Sequence, residues 1–277
     1  MAEPTLTHRL GNYSFPAMLL VGSIAFHILT VIITFFQNPR RLFQVSQLRD
    51  DAFARFWLAL FPLPPKDQDP EPEPNALPNL LASATGTVLE LGPGNGTQTL
   101  FLRNSGLHTL YLAEPTLQLH TALRDTAERL GLRDRCHVLG CGAEPSSLIP
   151  ALAREGAITE EKGEGIFDTI ICARVLCCVP SQEDTVAGLY GLLKPGGRLI
   201  FREHVVSQGG ITVGHVLQRV YMALGWSFWM TGCELTRDTG RVLKDAAKSD
   251  GGWAKVELEH EDAWGAVPFV TGQLVKK

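Results

Sequence analysis

Val88-Leu89-Glu90-Leu91-Gly92-Pro93-Gly94-Asn95-Gly96 decides how this chain is read. An apolar run of strand composition, Thr87 to Leu91, enters a turn with three glycines, and a stretch of helical character, Thr97 to Asn104, follows. That order is the first βα unit of a nucleotide-binding sheet. Glycine suits such a turn because the backbone bends sharply, partly at positive φ, and because a side chain would hold a ligand off the peptide. A tight turn that binds nothing has the same composition, so spacing must discriminate. A dinucleotide fingerprint would place its third glycine at position 97, which is Thr97, and no Lys-Ser/Thr pair follows as a phosphate loop requires. What remains is acid-x-Gly-x-Gly-x-Gly, with Glu90 on the strand.

Length and composition bound the rest. The 277 residues fit one α/β core of about 200 residues with an appendage. Hydrophobic residues make up 45% and the net charge is -4, which excludes disorder of the whole and leaves a nucleic-acid footprint without support. The six cysteines, Cys136, Cys141, Cys172, Cys177, Cys178 and Cys233, lack the paired Cys-x-x-Cys spacing of a zinc site. No metal is expected, and the thiols read as reduced packing residues of a cytosolic domain.

Phe15 to Phe36 is 22 residues without Asp, Glu, Lys or Arg, interrupted only by His27. As a helix it would be about 33 Å long, enough to cross a hydrocarbon core of roughly 30 Å. A cleaved signal would want a basic start and a small-residue cleavage site, whereas the first 14 residues hold only Glu3 and Arg9 as charges. A retained membrane segment, single-pass or monotopic, is the expectation; an interfacial hairpin or surface-lying helix and a buried core helix are the alternatives. Arg40, Arg41 and Arg49 follow the segment, which puts the large domain on the cytosolic side. Leu42 to Phe61 carries Phe43, Val45, Leu48, Phe53, Phe56, Trp57 and Leu60 roughly on one helical face. Pro62 to Pro74 is then acidic and proline-rich, a boundary across which neither helix nor sheet propagates. The expected division is an anchor at 1–40, an amphipathic helix and linker at 41–78, and a catalytic domain at 79–277.

Beyond the glycine turn the α/β rhythm continues. Thr109 to Ala113 reads as a second strand ending in Glu114, an acid some 20 residues past the turn, where one carboxylate can hold two sugar hydroxyls. Thr116 to Leu130 reads as a helix and Cys136 to Gly140 as a third strand; Glu144 follows, at the expected adenine edge. Pro145 to Gly165 reads as a helix plus a loop, and Ile166 to Ala173 as a strand buried on both faces. Leu192-Leu193-Lys194-Pro195-Gly196-Gly197-Arg198 reads as a helix end and turn before a fifth strand, and the runs Ala254 to Glu259 and Pro268 to Lys276 as a closing antiparallel pair.

The glycine motif with Glu90, the acid at 114, and Leu-x-Pro-Gly-Gly-x-Leu in this phase together resemble the class I methyltransferases that use S-adenosylmethionine. The resemblance implies an α/β, Rossmann-like seven-stranded sheet with helices on both faces, preceded here by the hydrophobic helix. It also implies a cofactor site formed by Glu90, Gly92, Gly94, Gly96, Glu114 and Glu144. Arg174 to Pro180, Phe201 to Val205 and Trp229 to Thr239 look like the membrane-anchored family whose animal members are alkyl thiol S-methyltransferases of endoplasmic reticulum and lipid droplets. That implies a small lipophilic thiol acceptor; O- or N-methylation of a secondary metabolite is the alternative, and a non-catalytic membrane scaffold is a third reading. Methyl transfer asks mainly for alignment, because the sulfonium is already activated. A thiol loses its proton with little help, whereas an alcohol needs a base. His204, next to Glu203, is the candidate base, with a capping or core role as its rival. Tyr221, Trp226, Phe228 and Trp229 either wall an apolar acceptor pocket or pack in a core. Oligomeric state is left open.

Overall fold

The computed structural model describes residues 5–104, 106–158 and 165–277. Seven strands, β1 (Gly86–Leu91), β2 (Leu107–Ala113), β3 (Cys136–Leu139), β4 (Phe167–Ala173), β5 (Leu193–His204), β6 (Lys255–Glu261) and β7 (Phe269–Val275), form one sheet in the order β3-β2-β1-β4-β5-β7-β6. The helices are α1 (Leu6–Gln37), α2 (Val45–Leu60), α3 (Leu77–Ala82), α4 (His120–Arg129), α5 (Pro145–Arg154), α6 (Gln182–Leu192), α7 (Val213–Ala223), α8 (Trp226–Trp229) and α9 (Thr239–Asp245). Neighbours from β3 through β5 are parallel. β7 runs against β5, since Gly196 bonds to Lys276 at one end and Val205 to Pro268 at the other. The expected Rossmann-like sheet with a closing antiparallel pair is therefore present. Strand order reverses between β1 and β4, and ligands of open α/β sheets bind outside the carboxyl ends of strands at such a point.

Alternation explains why the sheet is covered on both sides. Val88, Leu110, Ile171 and Ile200 join Leu77, Leu81 and Leu123 from α3 and α4 in one buried cluster. Their strand neighbours Leu89, Ile170 and Leu199 point the other way and are fully buried too.

Three local readings differ from the fold. The stretch after the glycine turn is not an α-helix but a 3-10 helix, Thr99–Asn104, which suits a segment that holds its backbone close to the turn. The Lys194-Pro195-Gly196-Gly197 stretch is not a turn before the strand. β5 runs through it, with Phe167 opposite Leu193 and Thr169 opposite Arg198, so residues 194–197 bulge out of register. Gly197 is required there, because a Cβ would lie 2.8 Å from the Lys194 carbonyl and 3.0 Å from that of Phe167. The apolar face expected over Leu42 to Phe61 is split: Phe56 is buried, while Phe43 and Val45 are exposed. Of the expected helix and loop over 145–165, the helix is α5; residues 159–164 lie outside the described residues. All six cysteines are free thiols.

Compactness divides the chain differently from its linear order. One unit joins the residues up to Phe61 with His204–Asp238 and His260–Phe269; the other joins Pro62–Glu203, Thr239–Glu259 and Val270–Lys277. In the first, α1 is fastened along its length. Asn12 accepts from the Ala266 amide at 2.8 Å, His8 lies 2.8 Å from Asp262, and the Tyr221 hydroxyl donates to the Tyr13 carbonyl at 3.2 Å. Further along, the Ser23 hydroxyl donates to the Trp229 carbonyl at 2.6 Å, and the His27 ring meets the Trp229 ring edge-on at 5.2 Å.

Candidate functional site

At the carboxyl end of β1, Gly92, Gly94 and Gly96 have φ of 56°, 63° and 88°, the left-handed region that disfavours side chains. Space forbids them as well: a Cβ on Gly92 would lie 2.7 Å from Val175, and one on Gly96 2.8 Å from the Thr126 hydroxyl. Glu114, at the end of β2, fixes this turn. Its Oε2 accepts from the Gly94 amide at 3.0 Å and its Oε1 from the Thr116 amide at 2.8 Å. Burial raises the Glu114 carboxyl pKa, opposed by the bonds from Thr116 and Gly94. Glu90 is 1% exposed and accepts from the Thr99 hydroxyl at 2.8 Å. Burial pushes its carboxyl up to about 7, with only the Thr99 bond in opposition.

Glu144 stands at the N-cap position of α5 without a side-chain cap bond and lies against Gly142, whose amide donates to the Ser147 hydroxyl at 3.0 Å. Leu117, which lies within the helix read over Thr116 to Leu130, is not singled out by the sequence. It is 67% exposed, three residues past Glu114, and a Cβ on Gly140 would be 3.1 Å from it. An apolar platform beside an acid suits a nucleoside, whose base wants a greasy face and whose sugar wants a carboxylate.

Glu73 is the larger surprise. The proline-rich segment reads as a spacer, yet Glu73 accepts from the Gln98 amide at 2.5 Å and pairs with Arg174 at 3.2 Å and Arg202 at 3.5 Å. These three partners sit just past the glycine turn, at the end of β4 and on β5. Arg129 holds the same segment through the carbonyls of Pro64 and Pro65, each at 2.9 Å. Burial would raise the Glu73 carboxyl, but the Arg174 and Arg202 charges and the bonds from Asn75 and Arg174 outweigh it and hold the pKa low. Arg174 adopts φ 61°, a strain of about 1 kcal/mol or more for a non-glycine residue. Glu203 accepts from the amides of Val175 and Leu176 at 2.9 and 3.1 Å and so shapes the same loop.

The acceptor-side candidates lie in the other unit. His204 is 8% exposed, with Nε2 3.4 Å from the Cys233 sulfur, to which the Trp226 indole also donates at 3.2 Å. Phe269 meets the His204 ring edge-on at 5.8 Å, and Trp226 is 6.0 Å from Tyr221. His204, Tyr221 and Trp226 thus form one neighbourhood. Trp229 packs on His27 of α1, and Phe228 is 46% exposed. The cofactor-side candidates Glu90, Gly92, Gly94, Gly96, Glu114 and Glu144 all belong to the second unit.

The family description "Methyltransferase domain" matches residues 50–248. The chain belongs to this family. Human thiol S-methyltransferase TMT1B is 30% identical over 202 residues, covering 71% of this chain and 74% of the relative. Human TMT1A, also a thiol S-methyltransferase, is 31% identical over 125 residues, 44% of this chain. The match spans 48% of that relative, about half its length. Among solved structures, the geranyl diphosphate C-methyltransferase from Streptomyces coelicolor A3(2), bound to S-adenosyl-L-homocysteine, superposes with a TM-score of 0.53 at 13% identity over 83% of this chain and 98% of that one. The methyltransferase's cofactor is S-adenosylmethionine, a sulfonium cation with a zwitterionic tail. A cradle with two buried carboxylates, three glycines and no lysine fits that charge.

Glu90 makes stability depend on pH. Folding raises its pKa from 4.5 to about 7, so between those values the native state binds an extra proton and loses stability as pH rises. The loss should reach on the order of 3 kcal/mol by pH 8. Glu90→Gln should abolish it; parallel denaturant midpoints for both proteins from pH 5 to 8 would refute the assignment. The Glu73 pairing generates a second expectation. Glu73→Ala should speed tryptic cleavage after Lys66 about tenfold, as a loss near 1.4 kcal/mol in opening free energy would, and Arg174→Ala should do the same. Unchanged cleavage would mean that the prolines alone hold the segment.

Proposed function

We propose that this methyltransferase S-methylates small lipophilic thiols at a membrane surface. The observation that carries the acceptor class is the setting of His204. A base that serves an alcohol must reach it, whereas His204 is 8% exposed, with its Nε2 against Cys233. An acceptor that ionises unaided, with a pKa of about 8.5, does not require such a base. The thiol S-methyltransferase names of the human relatives support the same reading.

When bound, S-adenosylmethionine supplies an activated methyl group on a sulfonium. The chain's own part is to bind and align. Glu114 would hold the ribose hydroxyls, with its other bonds fixing the carboxylate's orientation. Glu90 and the bare backbone of Gly92, Gly94 and Gly96 would receive the amino-acid end, and Leu117 and Glu144 the adenine. Tyr221, Trp226 and Trp229 would give the acceptor apolar surface. α1, whose mean hydropathy reaches 2.3, would anchor the protein, with its catalytic residues in the cytosol, to endoplasmic reticulum or lipid droplets, into which such acceptors partition.

Glu114→Ala should leave the domain folded and weaken cofactor binding about 10- to 100-fold, the equivalent of lost charged hydrogen bonds of about 1.5 to 3 kcal/mol. Calorimetry giving the wild-type affinity would remove Glu114 from the ribose role. For the acceptor, rate against pH at limiting acceptor should climb about tenfold per unit from pH 6 toward 8 with an alkyl thiol, in wild type and His204→Ala alike. Turnover of a matched phenol only, abolished by His204→Ala, would make the protein an O-methyltransferase with His204 as base.

A further inference from the structure

Among the described residues, 22 large apolar side chains are exposed, and all but Leu117 and Val256 belong to the unit that contains α1. α1 itself is inverted relative to a soluble helix. Its buried stripe runs Pro16, Leu20, Ser23, His27, Thr30 and Thr34, polar from Ser23 onward at spacings of four and three, while Met18, Val21, Ile28, Ile32 and Phe35 face outward. α7 repeats the inversion. Its buried positions are Gly214, Gln218 and Tyr221. Gln218 is fully buried, donating to the Val205 carbonyl at 3.0 Å and accepting from the Ser207 amide at 2.9 Å. Its outward stripe is Val213, Val216 and Val220, continued by Leu224, each between 45% and 58% exposed. Polar groups inside and a continuous apolar stripe outside are the polarity expected where hydrocarbon, not water, is the outer solvent.

We propose that α7 is a second lipid-contacting helix, packed beside α1, and that the two lie together in one leaflet so that the chain enters and leaves the bilayer on the same side. This rests on the reading of α1 as the membrane anchor. A crossing α1 does not fit its attachments. Asn12 and His27 are about 22 Å apart along the helix, and between them α1 is bonded first to the segment of Asp262 and Ala266, then to Trp229. Crossing would carry these loops, with their charged side chains and open backbone, through most of the hydrocarbon, where unsatisfied polar groups are costly. Lying flat keeps them at the headgroups and leaves both apolar stripes facing the acyl chains. Arg40 and Arg41, in the 3-10 turn after α1, suit an anionic headgroup layer.

The test uses the full-length protein and flotation with vesicles of phosphatidylcholine and phosphatidylserine. Changing Val216→Glu and Val220→Glu together should weaken partitioning at least about 10-fold. Val256→Glu, an equally exposed valine of the other unit, should leave it unchanged. Retained cofactor binding would show that the α7 variant is folded; if it is not, Val220→Gln alone replaces it. Wild-type protein that fails to float removes the anchor reading itself, and the proposal with it. Wild type that floats alongside an α7 variant that floats equally well overturns only the α7 face. If that variant instead converts a dimer to a monomer with flotation unchanged, the stripe covers a second copy and the proposal fails. In sealed microsomes, added protease should remove tags from both chain ends; a protected N-terminal tag would mean that α1 crosses, and would overturn the one-leaflet arrangement.

Discussion

One buried carboxylate organises the glycine turn. Glu114 accepts from Gly94 on the turn after β1 and from Thr116 on its own loop, so the carboxyl ends of two adjacent parallel strands are tied to a single anion. Each bond to a charged acceptor contributes about 1.5 to 3 kcal/mol, alongside the Gly92 and Gly96 amides, which donate to the Ala113 and Pro93 carbonyls. The three glycines are the complement of that tie. Their backbone can pass close to Val175 and Thr126 only because no side chain intervenes. The turn is therefore shaped before any ligand arrives, and preorganisation of this kind lowers the cost of binding.

Electrostatics then joins distant stretches of the same unit. Glu73 gathers Gln98, Arg174 and Arg202, drawing the proline-rich segment onto the edge where strand order reverses. Two half-buried to buried guanidiniums so close together would repel, and the carboxylate between them is what makes the arrangement tolerable. Prolines suit the segment because they stiffen it without demanding a ladder of backbone bonds. Arg174 in a left-handed conformation, with Glu203 holding the next two amides, shows that the loop after β4 is shaped by these charges more than by its own preferences.

The other unit follows the opposite solvent logic. Two of its helices, α1 and α7, hide serine, threonine, histidine and glutamine and present valine, isoleucine and phenylalanine outward, while α2 buries Ala52, Ala54 and Phe56. The His204, Cys233 and Trp226 neighbourhood belongs to this unit. The proposed acceptor side is thus housed with the apolar helices.

Much of this was determined by the sequence alone. The succession of strands along the chain, the glycine turn and the apolar N-terminal helix follow from local composition and spacing, which backbone sterics and alternation translate directly into structure. The bulge through Lys194 to Gly197 and the 3-10 segment after the turn were not legible, since both arise from how neighbouring strands meet. Glu73, Leu117 and the outward stripe of α7 were decided only by the tertiary structure. An acid among prolines, a leucine within a helical stretch and scattered valines are each ordinary by local composition. What distinguishes them is which residues, far off in the chain, arrive beside them and which side of the helix is left without a partner.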